Sequence, residues 1–299
     1  MFQKQPIMRR VVYSLVPIFL FAVYLYGWRV AAVTATSYAL GILTEWFFER
    51  KRGKKVSEAV LVTCALYAFA LPPKTPLWIV GVGIVFAVLF GKMVYGGFGR
   101  NVFNPAITGR LFVYIAFPSA LALAWMNPGG FGAQADAVAS ATPLALLRSG
   151  GQPDLLSLLL GLRSGSIGES SLVLLALAAV YLIATKTASW RIIASTLASA
   201  ILLNLGLQLA GVAGVPPTLP ALMSGSVAFV AVFMATDPVS APKKPAAQFV
   251  YGAIIGVCSV LIRNFSAFPE GTSFGLLLGN TFASLIDQAL TPKPKEAKA

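Results

Sequence analysis

Apolar stretches long enough to cross a bilayer follow one another from Val11 to Leu290, and most are separated only by short polar breaks. A helix crossing roughly 30 Å of hydrocarbon needs about 20 mostly apolar residues, and about 17 can suffice. Inside lipid every backbone N–H and C=O must be satisfied within the segment, so helices are the expected unit. Charged residues make up only 11% of the chain, against about 25% in a soluble domain. The first apolar stretch is followed at once by another and closes on no small-residue cleavage pattern, so it reads as a span and not as a removable leader.

Spans are predicted at Val11–Tyr26, Ala31–Phe48, Glu58–Leu71, Leu77–Val94 and Leu111–Met126. A second set is predicted at Leu172–Thr185, Ile192–Ala210, Leu219–Ala235, Phe249–Ile262 and Phe274–Leu290. Lys and Arg concentrate in cytoplasmic loops. With the N-terminus inside, eighteen of the 23 basic residues fall in inner segments, and only Arg29, Lys74, Arg148, Arg163 and Arg263 fall outside. The formal charge of +13 is thereby accounted for by topology, with both termini cytoplasmic. Nucleic-acid binding, the competing reading of so basic a chain, lacks a polar domain to present a groove.

The fold class expected is an all-α integral membrane protein of about ten transmembrane helices in two five-helix halves, residues 1–126 and 172–299. Five is odd, so the halves would run in opposite senses, an inverted repeat with binding sites at the repeat interface. Between them residues 127–171 form an external loop. Its Leu155–Leu162 stretch is too short to span and is expected to lie at the interface or re-enter the bundle.

Metal chemistry is narrowed by what is missing. The chain has no histidine and two cysteines, Cys64 and Cys258, both in apolar spans. Histidine-ligated haem, the usual zinc sites and a cysteine-held cluster within one chain are therefore excluded. The two thiols read as small buried hydrophobes.

The external loop holds a polar island, Asp136-Ala137-Val138-Ala139-Ser140-Ala141-Thr142, followed by Pro143. A residue before proline avoids the helical region, so Thr142 is expected in an extended conformation. The small side chains of Ala139, Ser140 and Ala141 leave room for a bulky group, and Asp136 could polarise the hydroxyl or bind a metal during its modification. The run resembles the flavinylation motif D-x-x-[S/T]-[G/S/A]-A-T, in which the last threonine carries FMN through a phosphoester; Ala139 departs from it. An ordinary Ser/Thr-rich surface loop is the plainer alternative.

Asn104-Pro105 and Asp237-Pro238 are two further breaks on one predicted face. An Asn-Pro step near a helix start leaves free N–H groups able to meet a carbonyl or a flavin edge. Asn104 and Asp237 could together border a second, non-covalent flavin, or simply cap two helices. Acidic residues number 10, and a charge at mid-bilayer costs at least about 2.5 kcal/mol. Glu45 and Glu58 are read as interface anchors. Glu169 and Asp237 are read as candidates for coupling ion movement to redox change.

Several runs resemble the signatures of one family: Leu71-Pro72-Pro73, Gly99 to Ala106 with Gly109-Arg110, and Gly165-Ser166-Ile167-Gly168-Glu169. To these add Phe233 to Ser240, Phe268-Pro269-Glu270-Gly271, Asn280 and Ile286-Asp287. In this order they resemble the NqrB/RnfD family over Leu61 to Asp287. Its members are membrane subunits of the sodium-pumping NADH:quinone reductase and of the Rnf electron transport complex. The short termini and Thr142-Pro143-Leu144 look more like the Rnf member, RnfD. The resemblance implies a flavoprotein subunit of an ion-translocating translocase in a bacterial or archaeal cell membrane. It implies covalent FMN on Thr142 at the outer face, riboflavin as the second flavin, a flavin transferase and other Rnf-type subunits as partners, and electron transport coupled to Na⁺ or H⁺. From another class, an inverted-repeat solute channel or carrier without a redox role is the rival reading, since a shared scaffold does not fix function.

Overall fold

The computed structural model describes residues 2–132, 142–266, 268 and 271–290. Pro6, pre-set for a first helical turn, opens α1 (Pro6–Tyr26), whose 21 residues extend about 31 Å. Gly27, with φ 73°, ends it and leads directly into α2 (Trp28–Lys51). Next come α3 (Ala59–Phe69) and α4 (Leu77–Val88), the latter running on into a π-turn at Leu89–Met93. Then follow α5 (Pro105–Ala116) and the short α6 (Pro118–Ala122), separated by Phe117 before Pro118.

The connecting region holds two six-residue helices, α7 (Pro143–Arg148) and α8 (Leu155–Leu160). The second half runs α9 (Leu172–Ala184), α10 (Trp190–Leu209), α11 (Thr218–Met223), α12 (Val227–Phe229), α13 (Pro245–Phe265) and α14 (Gly271–Ala289). A second π-turn, Val230–Met234, extends α12. Among the described residues the only strand pairing is a two-residue parallel ladder, Phe2 beside Val56 and Gln3 beside Ser57, which ties the amino end to the approach of α3.

Among the described residues three helices, α1, α10 and α13, are long and apolar enough to cross a membrane. Four shorter apolar helices accompany them, Ala59–Phe69, Leu77–Met93, Pro105–Ala116 and Leu172–Ala184. The apolar surface agrees with the lengths: Leu20, Trp28, Leu202 and Leu209 all stand exposed on the outside of the bundle. Water does not tolerate such a surface, and lipid does. The chain is an all-α, multi-pass membrane protein.

Two of the predicted spans differ in form. The fifth starts earlier than Leu111, because Asn104 and Pro105 supply a cap and a first turn. The eighth, Leu219–Ala235, is not one helix: Ser224 is extended and Gly225 left-handed (φ 69°), so the chain breaks between α11 and α12. Leu155–Leu160 is helical and short, as its length required.

In the first half α2, α4 and α5 pack side by side, and in the second α10, α13 and α14 do so. The α10–α13 contact is close because Gly252 and Gly256 face Ser195, Ser199 and the backbone of α10, where a Cβ would collide. Small residues at such crossings let helix backbones approach, which is how packing holds helices together in lipid. One continuous core, including Leu15, Tyr67, Ile84, Phe229, Met234 and Tyr251, runs through both halves.

Candidate functional site

Thr142 adopts φ −64° and ψ 153°, the extended geometry its proline dictates, and its Oγ1 accepts from the amide of Ala145 at 3.2 Å to cap α7. The side chain is half-buried. Asp136, Ser140 and Ala141 lie outside the described residues, so the structure brings only Thr142 of that run to the site.

Beneath α7 lies a cavity of ≈ 320 Å³, lined by Leu144, Leu147 and Arg148 of α7 and by Asn204, Arg263 and Asn264 of α10 and α13. Arg148 reaches over its rim, and Nη2 donates to the carbonyls of Arg263 (2.5 Å), Ser266 (3.1 Å) and Phe268 (3.2 Å). These are the exposed carbonyls of a helix end, where a cation is favoured. From inside the wall Arg263 Nη1 donates to the carbonyls of Ala221 and Ser224, both at 3.1 Å. Asn264 Nδ2 donates to Asn204 Oδ1 at 3.2 Å. The cavity thus combines apolar walls with two guanidinium groups and two amides, a set suited to a flat heteroaromatic ring bearing carbonyl oxygens.

Asn104 and Asp237 do come together. Both line a second cavity, with Lys92, Phe98 and Asn101, but it measures only ≈ 50 Å³. The free N–H groups expected after Asn104 are not free: Asn104 Oδ1 accepts from Ala106 (3.0 Å) and Ile107 (3.4 Å). The Asn104 amide donates to Asn280 Oδ1 at 3.1 Å, and its Nδ2 to the carbonyl of Met234 at 3.2 Å. Asn280 Nδ2 in turn donates to Tyr251 Oη at 2.7 Å. These two asparagines therefore bind the halves to each other. Half-buried Asp237 accepts from the amide of Val239 and the hydroxyl of Ser240, while burial pushes its carboxyl above the ordinary aspartate range. At that volume the cavity does not hold a tricyclic ring; the turn beside it contains Gly96, Gly97 and Gly99 in left-handed conformations.

The acidic residues sort differently from the sequence reading. Glu45, expected at the interface, is fully buried: its Oε2 accepts from Lys92 Nζ at 2.6 Å, and its Oε1 from the amide (2.9 Å) and hydroxyl (2.6 Å) of Ser57. A buried charge needs this much company, since desolvation is repaid only by close pairing and full hydrogen bonding. Glu58 is buried as well, its carboxylate accepting from the Arg9 guanidinium and from the amide of Gln5 at 2.6 Å. Glu169 is buried against Arg110, with Nη2 3.1 Å from Oε1, and the guanidinium stands 5.4 Å from the ring centre of Tyr114. Lys92 and Arg110, which the sequence reading counts among the cytoplasmic-side cations, are thus internal to the protein. Sequence reasoning missed Arg148, Arg263 and the Lys92–Glu45–Ser57 cluster; an ionisable residue inside an apolar span is the signal that marks Glu45 and Lys92.

A family model described as the NQR2, RnfD, RnfE family matches residues 2–296. The chain is 40% identical over 269 residues to the NqrB subunit of the Na(+)-translocating NADH-quinone reductase of Ectopseudomonas mendocina, covering 85% of this chain and 65% of that protein. It is 38% identical over 267 residues to the same subunit from Azotobacter vinelandii, again covering 85% and 65%. Against that of Chromohalobacter salexigens the figures are 38% over 259 residues, 84% and 62%. The chain spans a little under two thirds of the length of these relatives.

Proposed function

The chain belongs to the NQR2, RnfD, RnfE family, and on that premise we propose that it is a membrane subunit of an ion-translocating electron-transport complex, carrying FMN covalently on Thr142. The observation that carries this reading is Thr142 itself: an extended, half-buried threonine at the head of α7, whose next turn walls a ≈ 320 Å³ cavity. FMN supplies the one- and two-electron redox chemistry that the protein's own side chains lack.

The residues present fit such a group. Thr142 Oγ1 offers the attachment point, and a phosphoester there gives up only the 3.2 Å bond from Ala145. Leu144 and Leu147 exclude water from one side of the cavity, while Asn264, with one Nδ2 hydrogen beyond the one it gives Asn204, can offer an amide donor to a ring carbonyl; Asn204 spends its own on Pro216 and Thr218. Arg148 and Arg263 would hold positive charge beside a flavin ring bound in the cavity, which would favour its reduced, more negative form. Asp136, Ser140 and Ala141 serve the flavin transferase as the rest of its recognition run.

Two antiparallel five-span halves, 1–126 and 172–299, with the 127–171 loop external and both termini cytoplasmic, complete the proposal. The like grouping of α2, α4, α5 and of α10, α13, α14 supports it. Thr142-Pro143-Leu144 favours an Rnf-type complex, with Na⁺ or H⁺ as the ion moved and other subunits of that complex as partners in a bacterial cell membrane. Non-covalent riboflavin between Asn104 and Asp237 belongs to the same reading and needs more room than the ≈ 50 Å³ cavity there offers.

The test is coexpression with a flavin transferase, followed by a denaturing gel viewed for flavin fluorescence and by intact mass. Wild type should fluoresce and gain one FMN less water, and Thr142→Ala should do neither. An unmodified, colourless wild type under those conditions overturns the reading.

A further inference from the structure

The turn between α9 and α10 and the segment leading into α13 enclose a cavity of ≈ 420 Å³, lined among others by Lys186, Ser189, Trp190, Arg191, Lys243 and Gln248. Among the described residues no carboxylate lines it. We propose that this cavity binds the phosphate-bearing headgroup of an anionic phospholipid.

Charge carries the argument first. Among the described residues the charged heads of Lys186, Arg191 and Lys243 form no ion pair. Of the nearby acids, Asp237 accepts from Val239 and Ser240, and Asp287 from the amides of Lys243 (2.8 Å) and Lys244 (3.0 Å); neither lines the cavity. A fourth cation, Arg10 of α1, donates to the carbonyl of Thr185 at 2.7 Å, on the turn that carries Lys186. Cations gathered in one concavity repel one another unless an anion joins them.

The cavity is also fixed in shape. The amides of Thr187 and Ala188 both donate to the carbonyl of Leu182, at 2.8 and 3.1 Å, which folds the turn back on α9 and leaves Lys186 left-handed (φ 55°). Ser189 Oγ and Gln248 Oε1, 2.7 Å apart, join α10 to α13 across it. The Arg191 guanidinium stands 5.4 Å from the ring centre of Trp190, which meets Phe249 edge-on at 5.8 Å.

That aromatic pair identifies the anion's source. Trp190 and Phe249 are half-exposed on the lipid-facing surface, and tryptophan is favoured at headgroup depth. A phosphate in the cavity thus has an acyl-chain path beside it, which suits a lipid and offers nothing to a free ion. Basic pockets between transmembrane helices are established headgroup sites.

The test uses the full chain, purified and reconstituted. Native mass spectrometry should find phosphatidylglycerol retained in preference to phosphatidylcholine of the same acyl chains. Each cation near the surface is worth about 1 kcal/mol, roughly five-fold in affinity, so Lys186→Gln with Lys243→Gln should weaken retention about 25-fold. Lys54→Gln with Lys55→Gln, on another basic stretch, should leave it unchanged. Equal retention by the two double variants overturns the site. Displacement of the lipid by millimolar inorganic phosphate identifies a free-anion site and also overturns it. Should the first double variant not fold, wild type alone decides: phosphatidylglycerol vesicles must raise its melting temperature above that in phosphatidylcholine vesicles, and no difference sinks the proposal.

Discussion

The guanidinium of Arg148 donates to the carbonyl of Arg263 at 2.5 Å, so the helix that Thr142 begins is fastened to the end of α13. Its two further bonds, to Ser266 and Phe268, make one side chain the cap of three carbonyls. Charge-assisted bonds contribute about 1.5–3 kcal/mol when shielded and less at a wet rim, so Arg148→Ala should destabilise the protein by about 1–2 kcal/mol. Arg148→Lys, whose ammonium lacks the planar fork, should fall between. Thermal unfolding in detergent reads the order wild type, Lys, Ala; an alanine variant melting with wild type removes the clamp from the account.

Asn104 joins a cap to a cross-half link, and the two roles separate by substitution. Asn104→Asp keeps an acceptor for Ala106 and Ile107 but turns an oxygen toward the Met234 carbonyl in place of Nδ2. Asn104→Ala loses both functions, at roughly 1 kcal/mol for the cap plus about 1–3 kcal/mol for partners left unsatisfied. Both variants should be destabilised, and aspartate should prove no better than alanine despite its good capping. Recovery of wild-type stability by aspartate would show that the link to Met234 matters little.

The buried Arg110–Glu169 pair predicts non-additive losses. Removing one partner takes the nearest counter-charge from the other, at up to about 3–5 kcal/mol, whereas replacing both by apolar residues is often near neutral. Arg110→Met and Glu169→Leu should each lower folded yield and melting temperature sharply, and the double variant should recover most of the loss. Simple addition of the two single effects is the outcome that contradicts a direct pair.

Asp154 caps α8 through the hydroxyl (2.7 Å) and amide (2.8 Å) of Ser157, and these bonds hold its carboxyl below the ordinary aspartate value. A lowered folded pKa means that its contribution is present above about 3.9, the unfolded value, and fades as pH falls through the folded one. Acid titration followed by proteolysis of the 149–171 segment should show protection lost below about pH 4 in wild type. Asp154→Asn, a cap without a charge, should show no such step.

How far the sequence reached is clearest at Thr142. Its extended backbone was legible because Pro143 imposes it locally, whereas the cavity under α7 was not, because Asn204, Arg263 and Asn264 arrive from distant helices. Hydropathy located the helical segments but could not see the break at Ser224–Gly225, since that stretch stays apolar on either side. Positive charge, read by sequence position alone, counts Lys92 and Arg110 among the cytoplasmic-side cations at the ends of two spans. Those two are held inside by Glu45 and Glu169, partners 47 and 59 residues away, and no local pattern reports such a pairing. Asn104 was legible as a helix start, but its N–H groups were read as open to a ligand because its own side chain is the nearest competitor and the easiest to overlook.

The π-turn at Leu89–Met93 amounts to one residue more than an α-helix would use, and Lys92 sits within it. Each residue turns a regular helix by about 100°, so deleting one position in Leu89–Met93 should restore ordinary winding while swinging Lys92 off the face that meets Glu45. A change that improves the local helix would thus orphan a buried carboxylate. The irregularity works as a register mark, and the chain tolerates an imperfect helix because the perfect one aims its lysine in the wrong direction.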